Sequence, residues 1–390
     1  MSNVMWNNSI EETIKFTSQN GEYLKHNNYS IDPDQVFLIL MMGPRRCGKT
    51  SLLTAIQDCI ETSIAGTPIR FTYRGDDSSE DVELFNKQRK NLIAFAQEPK
   101  NESREGKGNS GIVATDEVRI FDFVMYHYKS PKELYMVRFV DIPGEAFITN
   151  PDAVNKVVAR SNMILVAIDT PALMSGDASK SNNCNEIRTI SDYLSNHLSN
   201  SSENTSENDI LPRLISFVPL KCERYHKMDK FSDNNSNMTK VADEVYKQYG
   251  NAIKNLCMND NLAVAITPVL TVGGVIFSSY ETGKTDGKGL PISNYIVDAS
   301  NPGYNPLYCE QPFLYFIVFF SNYLEKVRIN YNVFDWLKTG FMKVFKSKIL
   351  EEKNRQLFNG IQKLSPKLKN ESDGIGYRVI HDIHEYLSVK

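Results

Sequence analysis

Residues 35–54 read QVFLILMMGPRRCGKTSLLT, an apolar run delivered into Gly43-Pro-Arg45-Arg46-Cys47-Gly48-Lys49-Thr50. The run 36–40 has the composition of a buried parallel strand and residues 50–62 carry a helical pattern. The GxxxxGK[ST] spacing therefore falls at a strand-to-helix turn. Successive backbone N–H groups in such a turn form an anion-binding nest, and the helix N-terminus adds partial positive charge. Gly43 and Gly48 permit the backbone angles, Lys49 is placed to reach β- and γ-phosphates, and the Thr50 hydroxyl offers a ligand to Mg2+. The loop predicts a nucleotide phosphate site.

A second strand ends in Val137-Arg-Phe-Val-Asp141-Ile-Pro-Gly144-Glu145. A strand-terminal Asp can hold Mg2+ through water, and the Gly144 N–H is placed to meet a γ-phosphate and report its loss. That is the logic of a switch. Residues 117–128 and 134–141 both read as extended, with Lys129-Ser-Pro-Lys between them, which predicts an antiparallel hairpin feeding the DxPG strand. Thr115 precedes the hairpin, where a Ras-like GTPase carries the switch I threonine that closes over Mg2+. Thr67 and Thr72 are the other candidates, and a turn or cap threonine is the plain alternative.

A third buried strand, 163–169, follows a helical stretch near 152–159 and ends in Asp169, which either contacts the site or caps the next turn. A fourth, 214–220, runs into Lys221-Cys222-Glu223, in the place of the guanine-reading [NT]KxD motif. Leu220 replaces the Asn or Thr and Glu223 replaces the Asp, so the fit is partial. A Glu carboxylate makes the same paired hydrogen bonds to guanine if the backbone withdraws by about one methylene. A fifth strand, 262–269, leads into Leu270-Thr-Val-Gly-Gly274, where a base-contacting loop is expected. The fold class that follows is α/β: a P-loop NTPase with a mostly parallel, doubly wound sheet, an antiparallel hairpin of its second and third strands, and a C-terminal helical segment.

These pieces resemble the bacterial double-GTPase family of the TRAFAC class and its stress-associated P-loop relatives. The likeness covers residues 35–324 and is carried by GPRRCGKT, VRFVDIPGE, VPLKCE, ITPVLTVGG and the helix opening Tyr308-Cys-Glu-Gln-Pro-Phe-Leu-Tyr-Phe. It implies that Gly43, Gly48, Lys49, Thr50 and Ser51, with Arg46 and Cys47 of the same loop, contact GTP or GDP and Mg2+. Asp141 and Gly144 form switch II, Lys221 with Glu223 reads the base, and Thr50, Thr115 and Asp141 attend the metal. Where Ras-like proteins carry a water-orienting Gln after the DxxG glycine, this chain has Glu145. That carboxylate can accept a proton but is repelled by γ-phosphate, so unassisted hydrolysis is expected to be slow, about 10⁻⁴ s⁻¹. The catalytic candidates are Lys49, Glu145 and Thr115, with Arg45 and Arg46 supplying transition-state charge in cis or across a nucleotide-bridged homo-oligomer, or standing as solvated arginines. Cys47, at a helix N-terminus beside two arginines, is either a thiol that ionises readily or a tolerated loop position.

At 390 residues, 41% hydrophobic and 23% charged, the chain can bury one large core with a smaller appended unit. We expect an N-terminal arm or helix over 1–34, a P-loop GTPase domain with insertions over 35–300, and a helical extension over 301–390. A formal net charge of −3 disfavours nucleic acid as the main ligand. Six cysteines without metal spacing, and no secretory leader in MSNVMWNNSIEE, place the chain in a reducing cytoplasm. The apolar run 313–320 is too short to span a membrane and reads as a buried helix. Residues 80–97 read as a helix, and 99–110, 196–209, 231–237 and 280–289 as polar loops. Residues 311–327, 332–345, 350–364 and 376–387 read as helices, with an aromatic stripe supplied by Tyr331, Phe334, Trp336, Leu337, Phe341 and Phe345 for packing or partner docking.

The leading expectation is a GTP-binding switch that hydrolyses slowly and signals to a protein partner or effector. By resemblance, its setting is bacterial stress or phage defence. A P-loop ATPase that drives remodelling and a nucleotide-binding assembly scaffold with little turnover are the alternatives.

Overall fold

The computed structural model describes residues 25–26, 29–30, 36–74, 80–98, 118–198, 212–226, 237–285, 291–299, 301–330 and 355–387. Thr115, the whole aromatic stripe with residues 331–354, residues 1–24, and the tracts 99–110, 199–209 and 231–236 lie outside them.

Strand β1 (Val36–Met42) is where the core begins, and its alternation assigns the two faces of the sheet. Phe37, Ile39 and Met41 enter one apolar cluster, while Leu38, Leu40 and Met42 enter another on the opposite side. A strand buried on both faces needs helices above and below, and the chain supplies them. On the first face lie α1 (Lys49–Ile64), which follows the loop, and the later helices α8 (Gln311–Asn330) and α9 (Arg355–Gln362). On the second lie α3 (Pro151–Arg160), α5 (Ile187–Leu198), α6 (Asn237–Gln248) and α7 (Gly250–Leu256). The other elements are β2 (Ile69–Tyr73), α2 (Glu80–Gln97), β3 (Arg119–His127), β4 (Ser130–Asp141), β5 (Met163–Asp169), α4 (Ala178–Asn185), β6 (Arg213–Leu220), β7 (Leu262–Ile266), β8 (Val275–Thr285), β9 (Pro291–Val297) and β10 (Arg378–His381).

The main sheet has eight strands in the order β10-β7-β6-β5-β1-β4-β3-β2. The five from β7 to β4 are mutually parallel, β3 and β2 continue antiparallel, and β10 closes the other edge antiparallel to β7. This is the expected P-loop NTPase class: mostly parallel, wound on both faces, with an antiparallel hairpin. Register sets the site. Met41 pairs with Asp141 and Asp169 with Leu220, so the phosphate loop, Asp141, Asp169 and Lys221 all emerge at one carboxyl edge of the sheet.

The hairpin turns at Tyr128–Lys129, so Ser130 already pairs with His127 and β4 is longer than the sequence suggested. Asp122 faces Arg138 across it, bonded at 2.8 Å through both Nε and Nη2.

Helix α8 is apolar around its whole girth from Phe313 to Phe320 because it is enclosed on both sides. Phe37 packs on Phe316 and Phe320, and Phe313 on Phe71 and Phe139, against the sheet. On the outer side Tyr315 stacks on Tyr377 and Phe319 meets Tyr386. Among the described residues, no helix is long and apolar enough to cross a membrane.

Two expectations are corrected. Residues 376–387 form no α-helix: β10 pairs with β7 and a 3-10 turn follows at Ile383–Glu385. Edge pairing overrides the three-to-four spacing of its apolar residues. Likewise 280–285 is strand, because β8 pairs with β9 and Val275 and Tyr295 pack on α2 through Leu92, Phe95 and Ala96.

Candidate functional site

The loop between β1 and α1 has the backbone that its glycines predict. Gly43 and Gly48 take φ of 151° and 109°, and a Cβ on Gly43 would stand 2.7 Å from the Ala167 carbonyl oxygen of neighbouring β5. Arg46, between them, takes φ 63°. Lys49 turns back along the loop, and its Nζ donates to the carbonyls of Gly43 (2.9 Å) and Pro44 (3.1 Å). It also lies 3.9 Å from Asp141 Oδ1. Thr50 Oγ1 donates to Asp141 Oδ2 at 3.0 Å, and Lys49, Thr50, Ser51 and Asp141 are all buried.

The sequence-predicted phosphate loop and DxPG strand thus meet in one cluster. Thr50 and Asp141 present hard oxygen donors side by side, which suits Mg2+ with its remaining positions taken by water and phosphate oxygens. Among the described residues, no group of three or more His, Cys, Asp and Glu gathers as a dedicated metal cage.

Gly144 lies against the loop: a Cβ there would stand 3.2 Å from the Gly43 oxygen and 3.4 Å from Pro44 Cα. Glu145 follows it at the start of a short helix, with its side chain 56% exposed and Oε1 3.9 Å from Arg45 Nη1. Of the two alternative switch threonines, Thr67 bonds to the Ile64 carbonyl in the turn after α1, and Thr72 sits in edge strand β2.

At the other end of the loop, Lys221 leaves β6 with φ 59° and runs past Gly48, whose Cβ would be 3.8 Å from Lys221 Cε. Its Nζ donates to Asp169 Oδ2 (2.5 Å) and to the Arg46 carbonyl (3.2 Å). Burial works against this ammonium, but the charge and hydrogen bond of Asp169 outweigh it and hold the lysine well above its ordinary range. Asp169 also caps the next turn, its Oδ1 accepting from Ala172 N–H at 3.0 Å. It therefore caps the turn and also pairs with the lysine of the expected base-side segment.

Glu223 is buried, and its Oε1 accepts from the N–H groups of Val272 (2.9 Å) and Gly273 (3.2 Å). Burial raises its pKa against the pull of those bonds and of Lys221. That oxygen holds the 270–274 loop in place.

The Cys47 thiol is buried and pushed up by desolvation, which exceeds the opposing effect of Lys49 and Lys221. The easily ionised thiol that a helix N-terminus suggested is thereby overturned.

Two groups here carried no sequence motif. The β8–β9 hairpin brings Tyr280 and Tyr295 into the field of Lys221, and Lys180 Nζ lies 5.0 Å from the Tyr280 ring centre. Glu186, from the junction of α4 and α5, reaches the Gly144 side of the loop. Its signal in the sequence was only a lone acid in the polar run Asn182-Asn-Cys-Asn-Glu186.

No protein-family model matches the sequence, and no curated protein matches it. Among solved structures the chain is similar to the S. cerevisiae Ski7 GTPase-like domain bound to GTP, at 12% identity and TM-score 0.33 over 60% of this chain and 43% of that one. The same domain bound to GDP and inorganic phosphate gives 14% identity and TM-score 0.32 over the same shares. An S. thermophilus NFeoB mutant bound to GDP gives 10% identity and TM-score 0.22 over 85% of this chain and 98% of that one. At such scores none of these bears on activity, and none ties the chain to the double-GTPase family.

Proposed function

We propose that the chain binds a nucleoside triphosphate with Mg2+ and hydrolyses it slowly, with GTP as the favoured nucleotide. Its binding state is passed to a protein partner through the 141–145 segment. The observation that supports this most is the buried cluster of Lys49, Thr50 and Asp141 beneath a positive-φ glycine loop. Lys49 meets the β- and γ-phosphates, Thr50 and Asp141 hold Mg2+, which supplies charge neutralisation on the phosphate oxygens, and Gly144 N–H meets the γ-phosphate. Lys221 lays its stem along the base while anchoring to Arg46 and Asp169.

A second reading is supported by Glu223. With Oε1 engaged by Val272 and Gly273, guanine selectivity rests on its other oxygen, which favours a site that takes ATP as readily as GTP, in a remodelling ATPase or a scaffold.

Titration with fluorescent GTP and ATP analogues in Mg2+, with competition by unlabelled nucleotides and Lys49→Ala as control, tests both. Lys49-dependent GTP preference supports the switch. Equal binding of both, or preference for ATP, supports the second reading, and binding that ignores Lys49 rejects both.

A further inference from the structure

The phosphate end of the sheet holds a carboxylate outside every sequence motif. Glu186 stands between α4 and α5 with φ 46° and ψ 39°, a left-handed conformation uncommon for a residue with a side chain. Its neighbour fixes it there. Asn185 is fully buried, accepts from the Asp169 N–H at 2.7 Å and donates to the Asp169 carbonyl at 3.2 Å, so the junction is clamped to the end of β5. The Glu186 side chain then turns to the phosphate loop. Its Oε2 is 3.5 Å from the point where a Cβ on Gly144 would stand, itself 3.2 Å from the Gly43 carbonyl oxygen. Gly43, Gly144, Phe147, Ile190 and Tyr193 line with Glu186 a small, partly open cleft with room for about one water molecule.

Among the described residues, the charged and titratable groups around Glu186 are Lys49, Glu145 with its partner Arg45, the Tyr193 phenol, and the buried Tyr249 phenol, which donates to the Asn185 carbonyl. Burial raises the carboxyl pKa, Lys49 lowers it and Glu145 raises it. A carboxylate shifted towards neutrality is a better proton acceptor than an exposed one. Glu145, expected from its place after the DxPG glycine to serve the attacking water, is instead more than half exposed and turned to Arg45.

Resting on the reading of this site as a nucleoside triphosphate hydrolase, we propose that Glu186 is its catalytic base. Glu186 accepts a hydrogen bond from a water in the cleft and takes its proton as the water oxygen bonds to the γ-phosphorus. The bond from that phosphorus to the β–γ bridging oxygen breaks, the electron pair leaves with the nucleoside diphosphate, and the proton passes on to the released phosphate.

The test is single-turnover hydrolysis of GTP and ATP in Mg2+ from about pH 5 to 9, beside fluorescent-nucleotide binding. It uses the full chain as wild type, Glu186→Gln, Glu186→Asp and Glu145→Gln. Glu186→Gln should lose about 10²- to 10⁴-fold in rate and the acidic limb of the pH profile, while binding nucleotide as wild type does. Glu186→Asp should recover part of the rate, and Glu145→Gln, which removes the negative charge that raises Glu186, should keep the limb but move it to lower pH. The proposal is overturned if Glu186→Gln turns over at the wild-type rate or keeps the limb, if it loses nucleotide binding along with turnover, or if Glu145→Gln carries the loss. Lys49-dependent binding without wild-type turnover rejects the base and leaves the binding site standing. Absence of Lys49-dependent binding rejects the site itself.

Discussion

Lys221 donates to Asp169 across 2.5 Å, joining the carboxyl ends of β6 and β5, and the same ammonium reaches the phosphate loop at Arg46. Base side and phosphate side are therefore mechanically one piece. Lys221→Met would leave the Asp169 carboxylate, 13% exposed, without its cation. Breaking a buried pair from one side costs about 3–5 kcal/mol. Since neither side chain is fully enclosed, the loss should fall at the lower end. Asp169→Asn keeps an oxygen for the Ala172 N–H but turns an amide NH2 to the Lys221 ammonium, so it too should lose stability. Urea midpoints for the two variants check this, and a loss under about 1 kcal/mol in either would refute it.

Gly144 touches the phosphate loop through backbone atoms, which cannot swing aside as a side chain can. Gly144→Ala places a methyl 3.2 Å from the Gly43 oxygen and 3.4 Å from Pro44 Cα, so the 141–145 segment must withdraw by a few tenths of an ångström. Triphosphate affinity should fall by about tenfold, the loss of one net hydrogen bond, with diphosphate affinity nearly unchanged. Competition titrations give the ratio, and an equal loss for both nucleotides would place the effect elsewhere.

Glu223 gives stability a dependence on pH with a definite sign. Burial raises its carboxyl above the ordinary value of 4.5, so the native chain holds this proton to higher pH than the unfolded one. The contribution is fully present below about pH 4.5 and is lost as pH rises through the native value. Glu223→Gln keeps an oxygen for the Val272 and Gly273 N–H groups but cannot ionise. Relative to wild type, this variant should gain stability steadily as pH climbs above 4.5. Paired urea melts at stepped pH read the difference, and a constant offset would contradict it.

Phe320 joins the long helix to the sheet. It is 2% exposed, with its ring centre 4.6 Å from that of Phe37 and 5.8 Å from that of Phe316. Phe320→Ala should cost about 3–5 kcal/mol. Chemical denaturation measures this, and a cost under about 1 kcal/mol would mean that the helix packs loosely.

What local pattern encodes, the sequence yielded. The β1–loop–α1 unit, the DxPG strand and helix α2 lie within a few residues of their expected bounds, because periodicity and glycine spacing act over short distances. What long-range pairing decides was not legible. Strand β2 reads IRFTY, too short to stand out, and forms only because β3 offers it an edge. The β8–β9 hairpin carries Ser278, Ser279 and Gly283, a loop-like composition, yet packs on α2. Position 223 was legible as part of the base-side segment, but the direction of its carboxylate depends on where the 270–274 loop passes. Glu186 depends on Asn185 gripping a strand end sixteen positions earlier.

Strand β10 has a consequence for how the chain is made. Its partner β7 is synthesised much earlier, before the long helix that fills the core, and until β10 arrives β7 offers a parallel-sheet edge with its N–H and C=O groups unpaired. An uncovered edge of apolar sequence is a template for other nascent chains. The Leu262–Ile266 run, LAVAI, has no charge of its own to discourage them. Chains that stall on the ribosome between these two strands will thus be the aggregating species, and holdase chaperones should bind them at β7.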